Sequence, residues 1–361
     1  PVVAPTRPLV PMTWRTAAGQ ARSTASTSVA GAPRRRGAPA SGPARGGSPQ
    51  RRPPTRRSDS AAPAAHLRYN YVTFGRQHTR RSGQCVITMD NPIKNLILDM
   101  DGVLWRGDTP MPGLVDFFAA LRAAGIGFIL ATNNATKTAA MYTERLARFG
   151  VDVPPEQILT SAEATASYLA GEFPPGAPAY VVGAKGLHDA ITAQGFRIVT
   201  PEEVRDGGEA AFVVVGFSPH ANYEELAMGA LLVHRGAPFI GTNPDPTYPS
   251  ELGPLPGAGA LIAVITTATG VKPVLIGKPG PIVFREAVKR LGDDPSTVVM
   301  VGDRLSTDIA GAKAAGLRSA LVLSGISTRE EAETGPIGPD YIFADITELA
   351  AFLIGETNLV R

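Results

Sequence analysis

Two acidic residues two positions apart, Asp99 and Asp101, follow the short apolar run Leu96-Ile97-Leu98. Such a run, ending at acidic residues, is typical of a buried parallel strand. In extended backbone, side chains two positions apart face the same way. Two carboxylates held this closely repel each other unless a cation lies between them or one of them is protonated. The pair therefore predicts a site for a cation, a proton or both at the end of this strand.

Polar residues also follow three further predicted strand ends, as Thr132-Asn133, Lys278 and Asp303. Ligands of an open parallel sheet collect at the carboxyl ends of its strands, so we expect these residues to converge on Asp99. An all-oxygen site of few carboxylates suits Mg²⁺, which also contacts phosphate oxygens. A lysine adds positive charge against a dianionic phosphate, and the amides that open a helix after Thr132 form an anion site. The set favours attack by a carboxylate on phosphorus.

Each of these residues also has a simpler interpretation. Carboxylates at strand ends are often helix caps, and Asp101-Gly102 is an ordinary turn signal. Thr132 could cap the helix after it, and Lys278 could be a solvated loop residue. Asp308 could stabilise the partial positive charge at the N-terminus of a helix. The functional interpretation is favoured because the simpler ones would all have to hold independently, each at a strand end.

Alternating strands and helices are predicted to carry these residues. On either side of the middle of the chain, apolar runs predict strands at 96–98, 127–131, 297–301 and 319–323. Amphipathic spacing predicts helices at 114–121, 139–149 and 307–315. Strand and helix in alternation indicate a parallel sheet with right-handed crossovers. We therefore predict an α/β fold with a doubly wound parallel sheet.

The middle of the chain predicts a second α/β unit. Strands are expected at 179–183, 211–217 and 238–242, with helices around 187–194 and 223–235, and prolines flank this stretch on both sides. The predicted organisation is a tail at 1–88, a core domain at 93–174 and 256–353, and an inserted α/β domain at 175–255.

The predicted tail differs from the rest of the chain in charge. Residues 1–88 contain fifteen arginines and one acid, for a net charge of +14, whereas residues 89–361 contain twenty basic and thirty-one acidic residues, for −11. The tail is rich in Arg, Pro, Ser, Ala and Gly without a sustained period, which predicts disorder. It could be a targeting segment, a basic arm for nucleic acid, or a linker-like stretch ahead of a true start at Met89. The last interpretation is favoured, and nucleic acid is not expected to be the main partner.

The remaining composition narrows the class of protein. A single cysteine, Cys85, excludes an intramolecular disulfide and a cysteine-based metal site. A chain with a single cysteine fits a reducing compartment, and we predict a cytoplasmic protein. No apolar run approaches the roughly 18 residues that cross a bilayer, so no membrane association is predicted. The chain has no P-loop pattern, which argues against a P-loop nucleotidase.

Four segments resemble the four motifs of the haloacid dehalogenase superfamily. They are LDMDGVL (98–104), ATNN (131–134), GKP (277–279) and GDRLSTD (302–308). The segments TNPD (242–245) and PGAG (256–259) further resemble the subfamily of nitrophenylphosphatase-like, nucleotide and phosphoglycolate phosphatases. The resemblance covers about residues 93–353. It implies a Rossmann-like core with an α/β cap inserted between the second and third motifs, where the middle unit is predicted.

The resemblance implies a role for each acidic residue of the site. Asp99 would be the nucleophile, and its carboxylate would also bind Mg²⁺. Asp101 would protonate the leaving oxygen and later activate water, while its main-chain carbonyl binds the metal. Asp303 would be the third metal contact from the protein, and Asp308 would support that shell.

The resemblance also implies which residues hold the substrate. Thr132 and Asn133, with Asn134 beside them, would hold the transferring phosphoryl group. Lys278 would pair with Asp99 and with the phosphate. Asn243 and Asp245, where the cap rejoins the core, would position the cap or contact the substrate.

Taken together, the sequence predicts a Mg²⁺-dependent phosphatase that acts through an aspartyl-phosphate on Asp99. The expected partner is a small phosphorylated metabolite of the sugar phosphate, nucleotide, phosphoglycolate or nitrophenyl phosphate type, and the prediction allows a homo-oligomer formed through the cap. Two alternatives stay open. One is a phosphomutase that uses the same aspartyl-phosphate, and the other is a nucleic-acid-associated protein that acts through the basic tail.

Overall fold

A computed structural model describes residues 92–250 and 252–359 of the chain. The predictions made for the tail at 1–88 lie outside these residues. The strands, numbered in chain order, are β1 (Asn95–Leu98), β2 (Trp105–Arg106), β3 (Thr109–Pro110), β4 (Gly127–Thr132), β5 (Ile158–Thr160), β6 (Pro178–Val182), β7 (Arg197–Ile198), β8 (Phe212–Val215), β9 (Phe239–Gly241), β10 (Thr247–Ser250), β11 (Gly253–Pro256), β12 (Val274–Leu275), β13 (Val298–Gly302), β14 (Arg318–Val322) and β15 (Tyr341–Phe343).

The helices lie between these strands. They are α1 (Leu114–Ala124), α2 (Ala139–Arg148), α3 (Ser161–Glu172), α4 (Lys185–Ala193), α5 (Pro201–Arg205), α6 (Tyr223–His234), α7 (Ala258–Thr269), α8 (Pro281–Leu291), α9 (Ala310–Ala314), α10 (Arg329–Thr334) and α11 (Ile346–Leu359). Among the described residues, none of these helices is long and apolar enough to cross a membrane.

The first sheet has six strands in the order β15-β14-β13-β1-β4-β5. All of its neighbouring strands are parallel, with Leu98 at the end of β1 opposite both Val301 of β13 and Leu130 of β4. The carboxyl ends of β1, β4 and β13 therefore meet at one edge of the sheet.

Helices cover both faces of this sheet, which explains why its strands are continuous apolar runs. Leu96 and Leu98 of β1 pack on one face with residues of α1 and α11. Ile97, which points the other way, packs with residues of α3 and α8. All three side chains are fully buried. The predicted doubly wound α/β fold is confirmed.

The second sheet has five parallel strands in the order β12-β9-β8-β6-β7. One face packs against α6 and α7, where Tyr180 and Val213 belong to one apolar cluster with Ile265 of α7. The other face belongs to the cluster that also contains α3 and α8 of the first unit. The two sheets are thus joined by a shared apolar core.

The second sheet extends beyond the limit at residue 255 predicted for the inserted unit. Its edge strand β12 lies at Val274–Leu275 and pairs with β9. Helix α7, at Ala258–Thr269, packs on α6 of the same unit. The second sheet therefore continues to residue 275, and the chain then returns to the first unit through α8, which packs against β4 and β1.

Candidate active site

Strand ends of the first sheet and the segments that return from the second sheet surround one cavity of about 520 Å³. Every residue predicted from the sequence to take part in the site lies in its lining. These are Asp99, Asp101, Thr132, Asn133, Asn134, Asn243, Asp245, Lys278, Asp303 and Asp308. The structure therefore brings together residues that lie up to 209 positions apart in the chain.

Lys278 lies at the centre of the charged side chains. Its ammonium forms ion pairs with Oδ1 of Asp99 and, at 2.7 Å, with Oδ1 of Asp308. It also approaches the carbonyl oxygen of Ala131 at 3.3 Å. Burial alone would lower the pKa of Lys278, but the charges of Asp308 and Asp99 outweigh it, and the pKa lies above its ordinary value. Lys278 is thus a buried, protonated cation.

Three carboxylates form a cluster, two of which pair with this ammonium. Asp99, Asp303 and Asp308 each offer an oxygen within 4.8 Å of the others. Burial raises the pKa of the Asp99 carboxyl above its ordinary value; the charge of Lys278 opposes this effect, and the charges of Asp308 and Asp303 reinforce it. Burial likewise raises the pKa of Asp303, with Asp308 adding to the effect.

The charge of this cluster fits a divalent cation. With all three carboxylates ionised, Lys278 leaves a net charge of −2. Hard oxygen ligands of this kind are what Mg²⁺ prefers. The side-chain cluster contains Asp308 and not Asp101, whose carboxylate is turned toward Trp105. Binding of the metal through the main-chain carbonyl of Asp101, which the resemblance implies, stays a prediction.

Main-chain contacts fix Asp303 in place. Its Oδ2 accepts a hydrogen bond from the backbone N–H of Ile326 at 2.9 Å, and its carbonyl accepts one from Ser327 at 3.0 Å. Two glycines make room for it, since a Cβ on Gly102 would lie 2.4 Å from Oδ2 and one on Gly325 only 1.9 Å away. Gly102 also has φ +88°, which L side chains rarely adopt.

The loop at 325–327 was not predicted to belong to the site. It follows β14 at the same edge of the sheet as the other strand ends. That position is the signal that could have identified it.

Asp308 reaches the cluster from a π-helical turn, Leu305–Ile309. Its Oδ2 accepts a hydrogen bond from the backbone N–H of Arg304 at 3.1 Å, and the residue is 1% exposed. Single π turns inside helices often occur at functional sites. The predicted helix at 307–315 therefore begins as a π turn and continues as α9.

Asn133 and Asn243 bind the loop after β4 to the segment that returns from the second sheet. The side-chain amide of Asn133 donates to the carbonyl of Lys278 at 2.9 Å and to Asp245 at 3.1 Å. The amide of Asn243 donates to the carbonyl of Asn133 at 2.8 Å. This contact fits a positioning role for Asn243, which is one of the two options left open for it by the sequence. Burial raises the pKa of Asp245.

Asn134 organises its own loop. Its backbone N–H donates to the hydroxyl of Thr132 at 3.2 Å, and its Oδ1 accepts from the backbone N–H of Thr136 at 2.8 Å. This Asx turn orients the loop after β4 around the buried Thr132.

Another part of the cavity lining is aromatic. Phe217, after β8, stacks on Tyr248 of β10 with ring centroids 4.5 Å apart and planes at 15°. Arg106, in the β2–β3 hairpin, also lines the cavity. None of these three residues was predicted from the sequence, because an isolated aromatic or basic residue has no spacing to distinguish it.

Comparison with known proteins identifies the family. A model of the haloacid dehalogenase-like hydrolases matches residues 96–197, and one described as HAD-hydrolase-like matches residues 275–349. An acid sugar phosphatase of Staphylococcus aureus is 40% identical over 260 residues, which cover 72% of this chain and 98% of that protein. The chain belongs to the haloacid dehalogenase-like hydrolases, as the motifs predicted.

Solved structures agree with this assignment. A p-nitrophenyl phosphatase from Archaeoglobus fulgidus matches with a TM-score of 0.67 and 35% identity, over 72% of this chain and 99% of that one. A glycerol phosphate phosphatase from Mycobacterium tuberculosis, solved in complex with magnesium, matches with a TM-score of 0.65 and 36% identity, over 72% and 78%.

Proposed function

We propose that the chain is a Mg²⁺-dependent phosphatase that transfers the phosphoryl group of a small phosphomonoester to Asp99 and then to water. The observation that supports this most directly is the buried ion pair of Asp99 with Lys278, at the centre of a carboxylate cluster that lines an open cavity. The relatives are phosphatases by name, in agreement with the predicted enzyme class.

In this proposal Asp99, Asp303 and Asp308, with the main-chain carbonyl of Asp101, would hold Mg²⁺. When bound, the metal neutralises charge on the carboxylates and on the phosphoryl oxygens. The residues present fit such an ion because they offer oxygen donors with a surplus of negative charge.

In the first step an oxygen of Asp99 attacks phosphorus, and the bond between phosphorus and the ester oxygen breaks. Asp101 donates its proton to that leaving oxygen, which departs as an alcohol. Lys278 stays protonated and offsets negative charge on Asp99 and on the phosphoryl group. Thr132, buried at the end of β4, would bind a phosphoryl oxygen.

In the second step Asp101, now ionised, takes a proton from a water molecule whose oxygen attacks the same phosphorus. The bond between phosphorus and Asp99 breaks, which releases inorganic phosphate and restores both carboxyl groups. Both amide donors of Asn133 are engaged, with Lys278 and Asp245. Its side chain therefore acts by fixing the loop around Thr132.

The substrate class is a small phosphomonoester. A cavity of about 520 Å³ accommodates a phosphate with a leaving group of sugar, glycerol or aryl size. The phosphomutase alternative makes a different prediction, since a mutase returns the phosphate to a sugar. Release of inorganic phosphate in proportion to substrate loss distinguishes the two. The basic tail, the cytoplasmic location and the homo-oligomer formed through the cap stay predictions.

The mechanism is tested by replacing the nucleophile. Asp99→Asn keeps the shape of the side chain but is a poor nucleophile, and we expect kcat to fall by about a thousandfold or more. Wild-type enzyme quenched during turnover should yield a peptide with a phosphoryl group on Asp99, detected by mass spectrometry. Asp116→Asn, an exposed acid in the first turn of α1, is the matched control and should keep full activity. Substantial turnover by Asp99→Asn would refute the covalent mechanism.

A further inference from the structure

A hydrogen bond that the proposed mechanism does not use joins Trp105 to Asp101. The indole Nε1–H of Trp105 donates to Oδ1 of Asp101 at 2.7 Å. Asp101 itself is exposed to the cavity, whereas Trp105 is fully buried. We propose that Trp105 is a positioning residue, whose indole N–H holds the Asp101 carboxylate in the orientation for proton transfer; this inference rests on the proposed function.

The turn between the two residues is built to bring them together. The backbone N–H of Leu104 donates to the carbonyl of Met100 at 2.8 Å, and that of Gly102 donates to the carbonyl of Trp105 at 2.8 Å. These bonds close a tight turn from the end of β1 to the start of β2. The indole is thereby directed at a carboxylate only four positions earlier in the chain.

The indole is held on several sides. It stacks with Tyr142, with centroids 6.2 Å apart and planes at 17°, and packs on Phe149 at 6.1 Å. The guanidinium of Arg145 lies over the ring at 4.5 Å and also hydrogen-bonds to the carbonyl of Gly107. The donor is therefore fixed by α2 as well as by its own turn.

Fixing this carboxylate has a chemical consequence. An indole N–H only donates, so it takes up one acceptor position on Oδ1 and leaves Oδ2 for proton exchange. An exposed aspartate without such a bond rotates among side-chain rotamers, and a general acid must lie within hydrogen-bond reach of the oxygen that it protonates. Small misplacements of a catalytic group lower rates sharply.

The test uses substituted phenyl phosphates whose leaving phenols differ in acidity. Phenyl phosphate needs a proton from Asp101 as its ester bond breaks, whereas 4-nitrophenyl phosphate releases a stable anion without one. The measured quantity is kcat/KM, which reports formation of the phosphoryl-enzyme. Trp105→Phe keeps the aromatic packing and removes the donor. We expect kcat/KM to fall about tenfold for phenyl phosphate and by less than about threefold for 4-nitrophenyl phosphate.

Three further variants are compared with Trp105→Phe to interpret its dependence on the leaving group. Asp101→Asn should show the same dependence on the leaving group, only steeper. Phe149→Leu disturbs the packing of the same indole and leaves the donor in place, so its dependence should match the wild type. Genetic incorporation of 3-benzothienylalanine at position 105, which replaces the indole N–H by sulfur at nearly the same size, should reproduce Trp105→Phe even if the latter folds poorly.

The outcomes separate the inference from the proposed function. If Asp101→Asn lowers kcat/KM equally for all phenyl phosphates, the acid role of Asp101 in the proposed function fails. If Asp101→Asn shows the steeper dependence while both Trp105 variants keep the wild-type slope, the inference alone is overturned. An equal loss for all substrates in the Trp105 variants would assign the residue a purely structural role.

Discussion

The two walls of the cavity are held by different forces. On the first wall, Asp99, Asp303 and Asp308 follow strands of the first sheet, and Lys278 follows β12 of the second sheet; all four are at most 9% exposed. Ion pairs and main-chain hydrogen bonds connect them. Charge and hydrogen-bond geometry set their positions, so a small change in one of these side chains displaces the others.

The second wall depends on shape. Phe217 and Tyr248 stack on each other, and both are only half-buried. They come from a loop after β8 and from the β10–β11 hairpin, elements of few residues each. Apolar contact has little directional preference, so this wall can vary without disturbing the first.

The two walls would have different roles in substrate recognition. In the proposed function, the first wall would contact the phosphoryl group that all phosphomonoesters share, and the second wall would contact the leaving group that distinguishes them. Changes to the first wall should lower the rate for every substrate by a similar factor. Changes to the second should alter the preference among substrates and leave the maximal rate close to its original value.

Removal of the metal should have the largest effect and is confined to the first wall. A chelator should abolish turnover of every phosphomonoester, and added Mg²⁺ should restore it, because the carboxylate cluster then regains its counter-charge. A second readout is thermal unfolding. Mg²⁺ at about 100 times its Kd should stabilise the wild type by about 2.7 kcal/mol, and Asp303→Asn should lose most of this gain. Unimpaired rates in chelator would remove the metal from the mechanism.

Replacement of Lys278 should have the next largest effect. Lys278→Met leaves Asp99 and Asp308 buried without their cation, so we expect kcat/KM to fall by about 10²–10³. The fall should be the same for phenyl phosphate and 4-nitrophenyl phosphate. Lys278 acts on the charge of Asp99 and of the phosphoryl group, and not on the leaving oxygen.

Unfolding of the Lys278 variant must be measured beside its kinetics, because breaking a buried ion pair costs about 3–5 kcal/mol. Lys289→Met removes an exposed lysine near the end of α8 and is the control. A loss that depends strongly on the leaving group would mean that the first wall also discriminates among substrates.

The first wall could be predicted from the sequence for a physical reason. Strands covered on both faces must be apolar throughout, so runs such as Leu96-Ile97-Leu98 are recognisable, and the polar residues that follow them mark the strand ends. Because parallel strands place these ends at one edge, Asp99, Thr132 and Asp303 could be expected to meet without knowledge of the register.

Other elements have no such signal. Helix α3 lies between the two units and buries Ser161, Ala162, Ala164 and Thr165 on more than one side, so it has no amphipathic period. Strands β10 and β11 contain prolines, which argue against a strand assignment. The contact of Trp105 with Asp101 depends on the geometry of one turn, which composition does not specify. The second wall was therefore missed as a whole.

Truncation of Phe217 should have the smallest effect and tests the second wall directly. Aromatic pairs contribute about 0.5–1.5 kcal/mol, so Phe217→Ala should raise KM for phenyl phosphate by about threefold to tenfold. The value for glycerol phosphate should change less, because its leaving group has no ring to pack on Phe217, and kcat should stay within about twofold. Tyr223→Ala is the matched control, since this aromatic residue of α6 is 87% exposed and does not line the cavity. If Phe217→Ala instead lowers kcat equally for both substrates, Phe217 holds the first wall in place, and the division between charge and shape does not describe this cavity.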